Sequence, residues 1–376
     1  MLSALHLLFW ISVVLLVHVF AGYPAWMWLL ARVRPQPVRK QAITPTVTVV
    51  IAVHAGAAHI AAKLANLGAL DYPHDRIDII IACDGCEDAT ATLARDFGDS
   101  RVRVLEFPAR RGKAACLNDA IAEAGGELLL LTDVRQRLAV DALRELTANL
   151  ADATVGAVSG ELLLEDAHTG FARGVDAYWR YEKLIRHAES RCGSVVGVTG
   201  ALYAMRRALF QPLPAGTVLD DVLVPMRVAA AGQRVVFEPA ALAWDRPSQR
   251  PAEEQRRKIR TLAGNFQLVQ LAPWLLSPVR NPLWFRFVSH KLLRLLAPWL
   301  VLTLTLSAAA LATRHLVCAL ALTGVLAGAL LLLVARLLPA LGRWPPVRLL
   351  LAFCYLNLFA AQGLLAFTRN RRLHLW

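Results

Sequence analysis

The chain has 376 residues, 56% of them hydrophobic and 18% charged, with 41 Lys plus Arg against 28 Asp plus Glu and a formal charge of +13. That is too apolar for an average soluble domain and far too apolar for a disordered chain. The charge and the hydrophobicity occupy different stretches, so a purely soluble chain is excluded and two or three units are expected.

Residues 1–31 contain no Asp, Glu, Lys or Arg, and Arg32, Arg34, Arg39 and Lys40 follow them. The run exceeds the ~20 residues that span hydrocarbon, lacks the basic start of a secretory signal, and ends in Tyr23, Trp26 and Trp28. It reads as a retained membrane helix. Strand and helix patterns then alternate: Val47–Val53 is a β-branched run, 59–70 has helical spacing, 77–82 is Ile-rich, 88–97 is helical, Val102–Phe107 is a strand, 113–124 a helix and Leu128–Thr132 a strand. Near-continuous apolar strands between amphipathic helices predict an α/β fold with a mostly parallel sheet, wound in the Rossmann manner and covered on both faces.

Ligands of such sheets bind beyond the C-terminal strand ends. Here those ends carry Asp84, the Arg110-Arg111-Gly112-Lys113 turn and Asp133. His54-Ala55-Gly56-Ala57 follows the first strand in place of GxGxxG, and no Walker A sequence occurs, which removes the basis for a dehydrogenase or P-loop reading. Carboxylates beside a basic, glycine-containing turn suit a base or ribose at one point and a diphosphate with a cation at another. That is a nucleotide-sugar site in outline. Cys83 and Cys86 form a lone CxxC without the second pair of a zinc site, so a structural use is expected.

Beyond the soluble part, the segment 268–284 holds Pro273, Trp274, Pro278, Pro282 and Trp284 among apolar residues and reads as interfacial. Three more charge-free runs follow at 295–313, 315–335 and 349–368, each close to spanning length. The expected organisation is a membrane helix at 1–31, a soluble domain at 38–266, an interfacial segment at 267–294 and about three membrane helices at 295–376. The positive-inside bias places Arg32 to Lys40 and the Arg280, Arg286, Lys291 and Arg294 group on the cytosolic side of an inner or plasma membrane, and the soluble domain with them. Three C-terminal crossings would put Arg369, Arg371 and Arg372 on the opposite side, so either one run fails to cross or the tail breaks the bias. Because part of the basic excess flanks the membrane runs, no nucleic-acid partner is needed to explain it.

The run Val47-Thr-Val-Val-Ile-Ala-Val, the stretch from Asp71-Tyr-Pro through Cys83-Asp84-Gly85 to Asp88-Ala-Thr, Gly112-Lys113-Ala-Ala-Cys-Leu-Asn118, and Thr132-Asp133 together resemble the family-2 glycosyltransferases of the GT-A fold. Gly197-Val-Thr199-Gly200, Leu219-Asp220-Asp221 and Arg256-Arg-Lys-Ile-Arg260 continue the resemblance, which covers about 46–265. The flanking helices are similar to those of the cellulose, hyaluronan and poly-N-acetylglucosamine synthase branch. The resemblance implies inverting transfer of a sugar from a nucleotide-sugar donor, with a UDP-sugar expected, to a lipid or growing polysaccharide acceptor. It implies that Asp84 and Lys113 serve the nucleotide, that Asp133 stands at the first acidic position of a DxD motif holding Mg²⁺ or Mn²⁺, and that Asp221 is the general base. Thr199 and Gly200 match the acceptor region, and Arg260 matches the Arg of a QxxRW motif.

The chain departs from the pattern at three places. Arg135 stands where a second acidic residue is common, Ala55-Gly56-Ala57 replaces an acidic residue after the first strand, and Arg257-Lys-Ile-Arg260-Thr261 lacks the Gln and Trp of QxxRW. Weakened metal binding and single rather than repeated transfer are therefore among the expectations. So is a catalytically silent membrane subunit with a regulatory or assembly role. Aromatic residues in 170–189, with Phe171, Tyr178, Trp179 and Tyr181, are candidates for an acceptor groove or an interface. A channel for product would need a partner subunit or a second copy.

Overall fold

The computed structural model describes residues 2–165, 170–246, 251–338, 340–370 and 373–375. Phe171, Tyr178 and Trp179 as side chains, and Arg371 and Arg372, lie outside the described residues.

Among the described residues eight strands form one sheet in the order β3-β2-β1-β4-β7-β6-β8-β5. Its first half is parallel: β1 (Val47–Val53) pairs with β2 (Ile77–Asp84) and with β4 (Leu128–Thr132), and β3 (Val102–Phe107) continues outside β2. Every residue of β1 and β4 is buried, as near-continuous Val, Ile and Leu runs require when helices cover both faces. The second half was not legible in the sequence. There β5 (Arg137–Leu138), β6 (Val155–Leu164), β7 (Leu202–Arg206) and β8 (Arg234–Asp245) combine antiparallel and parallel pairs, with β7 set antiparallel against β4. The sheet is therefore mixed rather than simply parallel.

Two hydrophobic layers flank the sheet. On one side Val49, Ile79 and Leu130 pack with Ile60, Leu64 and Leu146 from the helices Ile60–Gly68 and Ala142–Asn149. On the other, Val50, Ile80 and Leu129 pack with Leu117 of Lys113–Ala122 and with Leu223 and Met226 of Asp220–Ala230. Leu268, Leu275 and Phe287 enter this second layer, so the segment read as interfacial is fastened to the sheet by its apolar side chains. Leu276, Val279 and Phe285 of the same segment stay exposed.

Among the described residues four helices are long and apolar enough to cross a membrane: Leu2–Val33, Trp284–Leu311, Leu316–Leu337 and Pro345–Arg369. His6 stacks edge-on against His315 with ring centroids 4.0 Å apart, so the start of the first helix meets the turn joining the second to the third. At the other end of the bundle, Tyr181 donates to the Phe20 carbonyl at 2.9 Å, and His18 bonds Ser289 at 3.0 Å. The fourth helix also touches the sheet domain. Its approach lies beside the last turns of Leu316–Leu337, where Gly342 faces the Ala335 carbonyl, and its end packs on the helix Pro251–Leu271 with Phe367 stacked on Phe266. The apolar pattern alone could not show this packing, because lipid and a protein surface reward the same side chains.

Candidate functional site

The strand ends assemble a carboxylate and ammonium cluster from four separate segments. The apolar run of β4 ends at Thr132, and Asp133 follows it at the rim of the sheet. Lys113 begins the helix after β3, and its Nζ donates to Asp133 Oδ1 at 2.9 Å and lies 3.6 Å from Asp220 Oδ2. Asp220 and Asp221 open the helix Asp220–Ala230, where the backbone dipole favours negative charge. Arg260 feels the same three carboxylates from the helix Pro251–Leu271.

Burial opposes the charge of Lys113, but Asp133, Asp220 and Asp221 outweigh it and hold the ammonium above its ordinary range. Burial, then the neighbouring Asp220, push the Asp221 carboxyl up to about 6, against the pull of Lys113, Lys291 and Arg186. Asp221 Oδ1 is buried and has no hydrogen-bond partner among the described residues. A carboxylate kept out of water and left without a donor is the arrangement a proton acceptor needs.

Asp84 sits next to this cluster and is wholly buried. Its two carboxylate oxygens accept from the backbone N–H groups of Arg111, at 2.6 Å, and Gly112, at 2.8 Å. It therefore shapes the basic turn leading into Lys113. The turn closes over Gly85, whose φ is +59° and whose Cβ, were it present, would stand 2.8 Å from the Arg110 nitrogen. Gly85→Ala is expected to cost about 1–3 kcal/mol of local strain and to displace the turn. A lower unfolding midpoint together with weaker nucleotide binding would register that; unchanged nucleotide binding would dissociate the turn from the donor.

Thr199 and Gly200 lie against Asp221. The Val198 N–H donates to the Asp221 carbonyl at 2.8 Å, and a Cβ on Gly200 would touch Asp221 Cβ at 3.5 Å. Arg186 steadies this loop by donating to Thr199 Oγ1 at 2.9 Å and to the Gly197 carbonyl at 3.3 Å. Arg260 also donates to the Leu373 carbonyl at 3.2 Å, and His374 packs on Gly112 and Gly216, so the last described residues rest on the site.

Several supporting residues carried no sequence signal. Lys63 lies inside a helix that reads as plain packing, yet its buried Nζ donates to Thr132 Oγ1 and to the Gln136 carbonyl, both at 2.8 Å. It clamps the two sides of the loop that presents Asp133. Burial lowers its pKa to about 7, partly offset by Asp133. Arg135 points away from the cluster: its Nη2 donates to Asp245 at 2.6 Å, and Gln136 Nε2 donates to the same oxygen at 2.9 Å. The residue at the second acidic position is thus a tie between the β4 loop and the end of β8. Cys83 is buried and Cys86 donates to the Val53 carbonyl at 3.4 Å, a structural use of that pair.

Mg²⁺ or Mn²⁺ takes hard oxygen ligands, commonly one or two carboxylates completed by substrate phosphates. Among the described residues no group of three His, Cys, Asp or Glu side chains is arranged to hold a metal. Asp133, a carboxylate about one-third exposed at the strand end, fits such an ion only jointly with a diphosphate.

Comparison with known proteins follows the same lines. The chain is 26% identical over 247 residues to an N-acetylglucosaminyltransferase of Azorhizobium caulinodans, covering 61% of this chain and 62% of that protein. It is 21% identical over 218 residues to a poly-beta-1,6-N-acetyl-D-glucosamine synthase of Staphylococcus epidermidis, covering 56% and 52%. The chain thus spans between half and two thirds of the length of these curated relatives. The solved structure of mannosyltransferase PcManGT from Pyrobaculum calidifontis, in complex with GDP-Man and Mn²⁺, superposes with a TM-score of 0.72 at 23% identity, over 97% of this chain and 99% of that one. That likeness establishes the GT-A fold and extends through the apolar helices. The family model described as "Glycosyltransferase like family 2" matches residues 45–264, more than half the chain. The chain belongs to the family 2 glycosyltransferases.

Proposed function

We propose that the protein is a membrane-embedded inverting glycosyltransferase, moving a sugar from a nucleotide-sugar donor, with UDP-sugars the first to test, to a lipid or growing glycan. The observation that carries this reading is the meeting of Lys113, Asp133, Asp220, Asp221 and Arg260 at one strand-end cluster, with Asp221 Oδ1 left unpartnered.

In this reading the basic turn held by Asp84 receives the nucleotide, and Lys113 faces the diphosphate. Asp133 with the diphosphate would hold Mg²⁺ or Mn²⁺, which neutralises charge on the departing nucleoside diphosphate. Asp221 accepts the proton of an acceptor hydroxyl, and Thr199, Gly200 and Arg260 border the place where that hydroxyl arrives. A single displacement inverts the anomeric carbon and needs no covalent nucleophile. The division into a membrane helix at 1–31, a transfer domain at 38–266 and membrane-associated elements beyond it goes with this reading. Arg369 lies at the end of a helix whose last turns pack on Pro251–Leu271, which supports placing it with Arg32 and Lys40 on the cytosolic side.

Arg135 no longer argues for a silent subunit, since its pairing with Asp245 gives it a structural use. The test is release of nucleoside diphosphate from a panel of UDP- and GDP-sugars by membranes containing the protein, with Mn²⁺, lipid extract and product mass spectrometry. Release above that of control membranes, and a donor-dependent product mass, are expected. No consumption of any donor would overturn the enzyme reading.

A further inference from the structure

The face of Asp221 turned toward the membrane helices carries cations that an uncharged acceptor would not use. Lys291 lies in the segment Val288–Leu292, where the helix Trp284–Leu311 passes from the sheet into the apolar bundle. Its Nζ stands 3.9 Å from the Cβ position of Gly197, whose two nearer neighbours are the Asp221 carbonyl oxygen and Val222 Cγ2, both at 3.4 Å. Around it the other charges are matched. Arg294 donates to Glu182, and His290 is shared between Glu182 and Glu189 at 2.9 Å and 2.8 Å. Arg286 is spent on the carbonyls of Glu189, Cys192 and Ser194. Lys291 makes no hydrogen bond or close ion pair with any described residue. Arg186 is fixed by Thr199 and Gly197, and its charge, like that of Lys291, bears on Asp221. Both cations thus bear on Asp221 as well as on Glu182, which each of them feels more strongly.

Leaving a partly buried ammonium without a hydrogen-bond partner is costly unless a ligand completes it. Resting on the function proposed above, we infer that the acceptor is a lipid carrying a phosphodiester beside a free hydroxyl. Arg186 and Lys291 bind the phosphate and so hold the hydroxyl at Asp221. A guanidinium already oriented by two bonds and a mobile ammonium suit a phosphate better than a neutral sugar ring. The hydroxyl oxygen bonds to the anomeric carbon as that carbon's bond to the diphosphate oxygen breaks. The proton passes to Asp221, and the electron pair leaves with the nucleoside diphosphate. A free hydroxyl is specified because a phosphate oxygen attacking directly would need no base, whereas Asp221 Oδ1 is buried and unpartnered.

The experiment uses the full chain in neutral detergent with its best donor and chain-matched lipids: phosphatidylglycerol, diacylglycerol and a polyprenyl phosphate. Phosphatidylglycerol is expected to be the preferred acceptor. Lys291→Met should raise its KM about 10- to 100-fold, the worth of one charge-assisted hydrogen bond, with a much smaller change in kcat. Lys291→Arg should recover most of the loss, and the KM for diacylglycerol should not respond to either variant. Equal use of diacylglycerol, transfer only to the polyprenyl phosphate or to a glycan, or an unchanged KM in Lys291→Met would each overturn the inference. So would competition by millimolar inorganic phosphate without any preference among lipids, which would assign the cations to free phosphate. Donor turnover to water with no lipid preference would leave the glycosyltransferase reading standing while this one fails.

Discussion

Asp221→Asn is expected to abolish sugar transfer while leaving nucleotide binding within about twofold of the parent. The substitution keeps the size and position of the side chain but removes its ability to take a proton, a role typically worth 10²–10⁴-fold in rate. The loss should fall on kcat, since the amide still sits against Gly200 and does not disturb the turn held by Asp84. The pH profile supplies a second, independent readout. Burial and Asp220 raise the Asp221 carboxyl to about 6, so a protonated, inactive fraction grows as pH falls through that value. In the parent protein kcat should therefore climb about tenfold per pH unit below 6 and level off above it. In Asp221→Asn the residual rate should lose that limb. A variant retaining most of its rate, or one that keeps the limb, would move the base elsewhere, with Asp220 the nearest alternative.

The extent to which this site could be read in advance follows from how its parts are encoded. Asp84 and Asp133 close apolar β runs, and Lys113 follows a basic, glycine-containing turn after the third; a charged residue at the end of an apolar run stands out against its surroundings. The parallel half of the sheet was legible for the same reason, since strands buried on both faces leave uninterrupted Val, Ile and Leu. The other half was not. β5 has only two residues, and β8 contains Pro239 and alternates unevenly. β7 pairs with a strand some 70 positions earlier, and no local pattern records such a partner. The supporting cations were invisible for a related reason. Lys63, Arg186 and Lys291 sit on helices where a basic residue reads as a solvated face, and only the packing of three distant segments turns them inward. Arg135 was legible as a departure, but its meaning depended on Asp245, which the chain brings back from 110 positions away.

Lys113→Met should give the second large effect, and it tests whether the cluster works as one unit. The ammonium separates Asp133 from Asp220, at 2.9 Å and 3.6 Å, and its charge also reaches Asp221. Without it two carboxylates face one another with no cation between them, and the donor's diphosphate meets net negative charge. Losing a fixed cation from a site of this kind is expected to lower kcat/KM by about 10²-fold or more. Asp221 also loses an opposite charge, so its carboxyl titrates higher and the acid limb of the profile should move above 6, a shift that misfolding would not produce. Lys113→Arg keeps the charge but replaces a compact ammonium with a planar fork, and partial recovery is expected. The Asp133→Asn change removes the repulsion that Lys113→Met exposes, so the double variant should lose less than the sum of the single losses. Strict additivity, with the limb still near 6, would mean that Lys113 contacts neither carboxylate in the working enzyme and serves only to start its helix.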